Sequence, residues 1–228
     1  MNVEAIAHIK TCYGEKFGVP RQPGIVDEAW GELIFEPEYR TVDAVRGLDG
    51  FSHIWLVFMF HQAIRSTWKP TVRPPRLGGN KKLGVFASRS PFRPNPIGLS
   101  CVRLESIDLT HPEAPVLKLR GVDLVDGTPI LDIKPYVPYS DSPPDADGGF
   151  AHHAPDVLVV CWNHGIGENL TDATRRLIEA TLAADPRPAY QHEDHGREYG
   201  CLIDGYNVRW TVVDQRALIV SCEAAGLA

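Results

Sequence analysis

Between Gly50 and Leu104 the 228-residue chain has no aspartate and no glutamate. The same stretch holds nine lysines and arginines: Arg65, Lys69, Arg73, Arg76, Lys81, Lys82, Arg89, Arg93 and Arg103. The formal net charge of the whole chain is −6, so its acids are concentrated elsewhere. A local excess of cations on an anionic protein is the pattern of a polyanion-docking surface. It points to nucleic acid where a sequence pI of about 5.8 would argue against it.

Other absences narrow the class. The longest apolar run, Ile54 to Phe60, is seven residues, far below the roughly 18 needed to cross a membrane. It reads as a buried strand. The first residues lack a basic region followed by an apolar core, so no secretory leader is expected and the expected location is cytoplasmic. The five cysteines (Cys12, Cys101, Cys161, Cys201 and Cys222) are odd in number and form no C-x-x-C. They read as free thiols in a reducing compartment.

There is no Walker loop. Gly165-Ile166-Gly167 follows the strand-like run Val157–Trp162, as in a dinucleotide fingerprint, but Leu170 stands at the third glycine position and no acidic second βαβ unit follows. Ser90 and Ser100 lack a glycine elbow, which leaves a serine hydrolase unsupported. His152-His153 and the pair His192 and His195 lack metal-site spacing and read as surface histidines, so no metal is expected.

What is present suits one large domain, or one with a small appendage. Short runs rich in Val, Ile, Leu and Phe, bounded by Gly, Pro or Asp, give candidate strands at Val3–Thr11, Gly31–Phe35, His53–Phe60, Lys82–Ala87, Ile97–Ile107, Val116–Leu124 and Thr128–Lys134. A short helical turn is expected at Val42–Gly47. Strands at this frequency with few helices between them predict a mainly β fold, a small antiparallel barrel or sandwich. Residues 141–155 are rich in Pro, Gly, Asp and His and read as a linker or long loop. Beyond them come a strand at Val157–Trp162, a helix over Thr171–Ala183 capped by Asn169 or Thr171, and a final hairpin turning at Asp214-Gln215. The expected division is therefore a β-barrel over 1–142, a linker over 143–155 and a smaller α+β unit over 156–228.

Two segments carry chemistry. In Ser88–Gly98 three prolines (Pro91, Pro94 and Pro96) stiffen the backbone, with Gly98 supplying freedom afterwards. Arg89, Arg93 and Asn95 are thereby held on a nearly fixed frame, and a guanidinium fork suits phosphates and carboxylates. In Asp123–Tyr136, Asp126-Gly127-Thr128-Pro129 is a hairpin-turn signal. On the strand after it Asp132 and Lys134 share one face by period two. Taken alone, that pair is equally readable as a surface ion pair.

Several long peptides resemble the bacterial tRNA (N6-threonylcarbamoyladenosine) methyltransferase family. They are Pro20–Gly24, Arg46–Leu48, His61-Gln62, Arg73–Asn80, Ser90–Gly98 and Asp123–Tyr136, with Asp185–Tyr190 and Asn207–Trp210 toward the C-terminus. The resemblance implies a β-barrel enzyme that takes its methyl group from S-adenosylmethionine and places it on N6 of threonylcarbamoyladenosine in tRNA. It also implies a homodimer with the cofactor near the interface and no membrane association. Carried over by motif, the cofactor contacts are Arg21, Gln22, Pro23, His61, Gln62, Arg89, Leu99, Asp126, Gly127, Thr128, Pro129 and Asp132. Asp132 or His61 is expected to act on the N6 proton, as both are titratable. Arg93 or Lys134 is expected to meet the threonyl carboxylate, and Arg73, Arg76, Lys81 and Lys82 the RNA backbone. A non-catalytic RNA-binding barrel is the alternative from another class.

Overall fold

Alternation of buried and exposed positions decides the first half of the fold. In the computed structural model, which describes residues 2–74, 77, 79, 81–188 and 196–226, eight strands occupy this half. They are β1 (Ala7–Thr11), β2 (Trp30–Phe35), β3 (His53–Met59), β4 (Thr71–Val72), β5 (Leu83–Gly84), β6 (Ile97–Asp108), β7 (Val116–Arg120) and β8 (Thr128–Pro135). Six of them close into an antiparallel barrel in the order β1-β2-β7-β6-β3-β8, and β4 pairs with β5 as a separate ribbon. Closure removes the free strand edges that an open sheet would leave.

β3 lies between β6 and β8. Its Ile54, Leu56 and Phe58 point into the barrel. Trp55, Val57 and Met59 alternate with them and lie half-buried on the outside. That accounts for a strand apolar on both faces.

Three expected strands of this half are much shorter than the sequence suggests. The first begins at Ala7, not Val3, and β7 ends at Arg120 because Gly121 turns the chain with φ +71°. Lys82–Ala87 yields only the two residues of β5, followed by a 3-10 turn at Val85–Ala87. The expected turn after Val42 is a 3-10 turn over Val42–Val45.

Gly98 plays a different part from the one expected. Its backbone is not left-handed; what matters is room. A Cβ there would lie 2.2 Å from the ring of Phe58, its partner across the β3–β6 ladder. Phe58 meets Phe60 edge-on at 5.0 Å, and the glycine lets that pair lie inside the barrel end.

After a short helix α1 (Pro138–Asp141) and an exposed stretch, the second unit forms a four-stranded sheet with one long helix. Its elements are β9 (Val159–Trp162), α2 (Asp172–Ala183), β10 (Glu198–Ile203), β11 (Tyr206–Val213) and β12 (Arg216–Ala224). Thr171 caps α2 by accepting from the Thr174 amide at 3.1 Å, and the helix buries Leu177, Ile178, Thr181 and Leu182. The expected hairpin is β11–β12, turning through Asp214 and Gln215, both at positive φ. β10, unforeseen, extends it, and β9 joins β12 in parallel.

The two units share one continuous core. Tyr13, just past β1, bridges to Ile203 and shares a hydrogen bond with Thr181 at 3.1 Å. Asp204 accepts from the Trp30 indole at 3.0 Å and from the Thr174 hydroxyl at 2.9 Å. All five cysteines are free, and burial pushes the Cys12 and Cys201 thiols up to about 12. No helix is long and apolar enough to cross a membrane among the described residues.

Candidate active site and nucleic-acid interface

Two loops meet at one end of the barrel. The loop after β1 docks on the turn after β7 through Gly24 N–H to the Gly121 carbonyl at 2.9 Å. This places Gln22 beside the Pro-stiffened loop, where Arg89 donates to its side-chain oxygen. Gln22 donates in turn to the Arg21 carbonyl at 2.6 Å. Arg21, Gln22 and Arg89, named separately from motifs, are therefore joined in space.

Asp123, on the same turn, went unsingled by the sequence. The residue is only half-buried, yet its Oδ1 is sealed from solvent with no hydrogen-bond partner among the described residues. Burial pushes its carboxyl up to about 6, while a hydrogen bond from Ser100 and the charge of Arg89 pull the other way. Ser100 is itself buried in β6. The available signal was an acid in an apolar run, Gly121-Val122-Asp123-Leu124, between residues destined for the core.

A second group forms around the end of β3. His61 opens a 3-10 turn, His61–Ala63, and Lys16 donates to the Gln62 carbonyl at 2.7 Å. Burial lowers the His61 pKa, and the charges of Lys16 and His8 act in the same direction against a hydrogen bond at Met59. His8 lies opposite Pro129 in the β1–β8 ladder.

The Asp126–Pro129 turn is built mainly by the fold. Asp126 accepts from the Thr11 amide at 2.9 Å, Gly127 adopts φ +73°, and the buried Thr128 hydroxyl donates to the Val125 carbonyl at 2.6 Å.

Leu99 and Asp132 fall on the outside of the barrel. Both are register partners of Val57, one on each side. Leu99 is 54% exposed and Ile97, two residues before it on β6, 43%, so this outer side of β6 is an open apolar face. Asp132 pairs with Lys134 at 2.9 Å, as period two predicts. No hydrogen bond or ion pair joins Asp132 to His61 among the described residues. A cavity of about 540 Å³ lies elsewhere, lined by Glu15, Glu198, Asn207 and Arg209 among others, and includes none of the expected cofactor contacts.

The basic loop carries exposed rings as well as cations. Arg73, Lys81 and Lys82 are exposed, and Arg76 lies outside the described residues, as do His192 and His195. Trp68 (49% exposed) leans on Phe86 (72% exposed) with centroids 6.2 Å apart. Arg65 sits 3.7 Å over the exposed Phe92 ring. Arg93 donates through Nη1 to the Ser88 carbonyl at 2.7 Å, which stiffens the loop from within. Cations interleaved with exposed aromatics suit phosphates and unstacked bases together. Trp210, by contrast, is fully buried against Phe17 and presents no ring to an RNA, and Arg209 pairs with Glu198 at 3.0 Å.

Fold and site thus define a β-barrel protein, distinct from the dinucleotide-binding α/β class, that is equipped for an anionic, base-bearing ligand. A family model described as the tRNA-methyltransferase O N-terminal domain matches residues 8–142, and one described as the TrmO C-terminal domain matches residues 160–225. The chain belongs to the TrmO family. The tRNA (adenine(37)-N6)-methyltransferase of Escherichia coli (strain K12) is 48% identical over 219 residues, spanning 92% of this chain and 93% of that protein. Human tRNA (adenine(37)-N6)-methyltransferase is 42% identical over 146 residues, 61% of this chain and 31% of that one. A crystal structure of TrmO from Pseudomonas aeruginosa is 38% identical with a TM-score of 0.81, covering 98% of each chain.

Proposed function

We propose that this chain, an S-adenosylmethionine-dependent tRNA (adenine37-N6)-methyltransferase by its family, acts on adenosine that already carries the N6-threonylcarbamoyl group. The observation that carries the reading is the junction of Gln22, Arg89 and Asp123 at the barrel end, within the same loop system as the cationic, aromatic-lined surface. The substrate is tRNA, and the setting is the cytoplasm.

The residues fit the cofactor's chemistry. Arg89 offers a guanidinium to a carboxylate, Gln22 and Gln62 offer amides, and Leu99 offers an exposed apolar surface to a purine. When bound, S-adenosylmethionine supplies a methyl group activated on a sulfonium. The chain's task is then alignment and proton removal. The N6 lone pair is delocalised into the purine and the carbamoyl group, so loss of the N6 proton strengthens the nucleophile. His61, or Asp132 beside Lys134, receives that proton. The threonyl carboxylate is met by Arg93 or Lys134. The exposed Ile97–Leu99 face of one protomer is closed by a second copy in a homodimer, which completes the cofactor site.

The test is methyl-labelled S-adenosylmethionine with tRNA carrying or lacking threonylcarbamoyladenosine, followed by digestion and identification of labelled nucleosides. Label confined to the threonylcarbamoylated tRNA is expected. Label only in the unmodified tRNA refutes the acceptor, and label in neither leaves an RNA-binding barrel. His61→Gln and Asp132→Asn are expected to bind both ligands yet slow single turnover, at least one of them by about 100-fold, in line with the usual worth of general base catalysis. Full rates in both would remove the proton-acceptor role.

A further inference from the structure

Arg187 is only 3% exposed, and its guanidinium forms a fork on Asp185 with Nε–Oδ1 at 2.8 Å and Nη2–Oδ2 at 2.9 Å. Asp185 sits at φ +46°, a left-handed conformation that aspartate tolerates better than most residues. The fork and the left-handed turn fix the backbone of the 185–187 segment, at the C-terminal end of α2. A buried ion pair gives little stability beyond what apolar packing would give, so what it delivers here is geometry.

That geometry is used at once. Arg21 reaches across from the barrel loop and donates through Nη2 to the Arg187 carbonyl at 2.5 Å, with the Asp185 carbonyl 3.5 Å away. Partial burial lowers the Arg21 pKa, and the Asp185 charge opposes this. From Arg21 the bonding continues through its own carbonyl to Gln22, and from Gln22 to Arg89. A line of polar contacts thus runs from the second unit to the barrel end.

We propose that Asp185 and Arg187 are positioning residues through which the C-terminal unit sets the cofactor loop, holding Arg21 so that Gln22 and Arg89 stay aligned. The inference rests on reading Arg21–Pro23 as a cofactor contact.

Asp185→Asn keeps a residue suited to the left-handed turn but weakens the fork. In the full-length protein, calorimetric titration with S-adenosylmethionine is expected to give about fivefold weaker binding, the scale of one charge-assisted hydrogen bond lost from a positioned group. KM for the cofactor rises while kcat at saturation holds. Arg21→Ala binds more weakly still, and the double variant binds no more weakly than Arg21→Ala alone, because Asp185 acts only through Arg21. Thr181→Val, which removes the Tyr13 contact between the same two units, lowers the unfolding midpoint without altering cofactor affinity.

Wild-type affinity in Asp185→Asn with weak binding in Arg21→Ala overturns the positioning role. Additive losses in the double variant overturn it too. Wild-type affinity in Arg21→Ala instead refutes the reading of the loop itself. Should Asp185→Asn not fold, Arg187→Lys, which keeps the charge but loses the fork, carries the same expectations and the same refutations.

Discussion

Replacing Asp123 by Asn tests the barrel end through pH. In the unfolded chain this carboxyl titrates at 3.8, and in the fold burial moves it up to about 6. The folded protein therefore binds more protons than the unfolded one between these values, and stability falls as pH rises through that window. A shift of roughly 2 pH units corresponds to about 3 kcal/mol against the ionised form, and about 2 kcal/mol of it develops between pH 4 and pH 7. Asn cannot ionise, so the variant escapes this loss. Urea unfolding of both proteins across that range is expected to show the variant gaining on the wild type as pH rises, by about that amount. A difference that stays constant from pH 4 to pH 7 would show that Asp123 is solvated in the fold. A change of opposite sign would show that the attraction of Arg89 outweighs burial. Either result would refute the account of a carboxyl sealed with one oxygen unpaired.

Gly98→Ala drives a methyl to within 2.2 Å of the Phe58 ring. It is expected to cost about 1–3 kcal/mol by chemical denaturation, and pairing it with Phe58→Leu should recover part of the loss. For the basic loop, charge neutralisation of Arg73, Lys81 and Lys82 should flatten the dependence of log tRNA affinity on log salt by roughly 0.7–0.9 per side chain. An unchanged slope would take these residues off the RNA.

The barrel was legible because its strands alternate. Ile54, Leu56 and Phe58 on one side of β3, with Trp55, Val57 and Met59 on the other, say both that the strand is central and that its outer face is apolar. β10 was missed because Glu198-Tyr199-Gly200-Cys201 has little β-branched content; its place is dictated by pairing with β11 and by the burial of Tyr199 and Cys201. Gly98 illustrates a different limit. A glycine in a sequence announces freedom or space without saying which, and only the ring across the ladder decides. At the site, Arg89 was readable from its proline-rich frame and Gln22 only through the family resemblance, while their hydrogen bond spans 67 positions of sequence. Asp123 and Arg187 were harder, since a charged residue that will be buried looks like any other until its partners are placed.

The shared core has a consequence for how the chain comes apart. The exposed stretch around residues 143–157 is where a protease would cut first, yet Tyr13, Trp30 and Asp204 bind the two sides of that cut far from it. A nicked protein should travel as a single particle through gel filtration and separate into two fragments only in denaturant. The same architecture warns against expressing the barrel alone: without the second unit, Tyr13 would lose its hydroxyl partner and its cover, leaving a sticky apolar scar where a smooth surface was assumed.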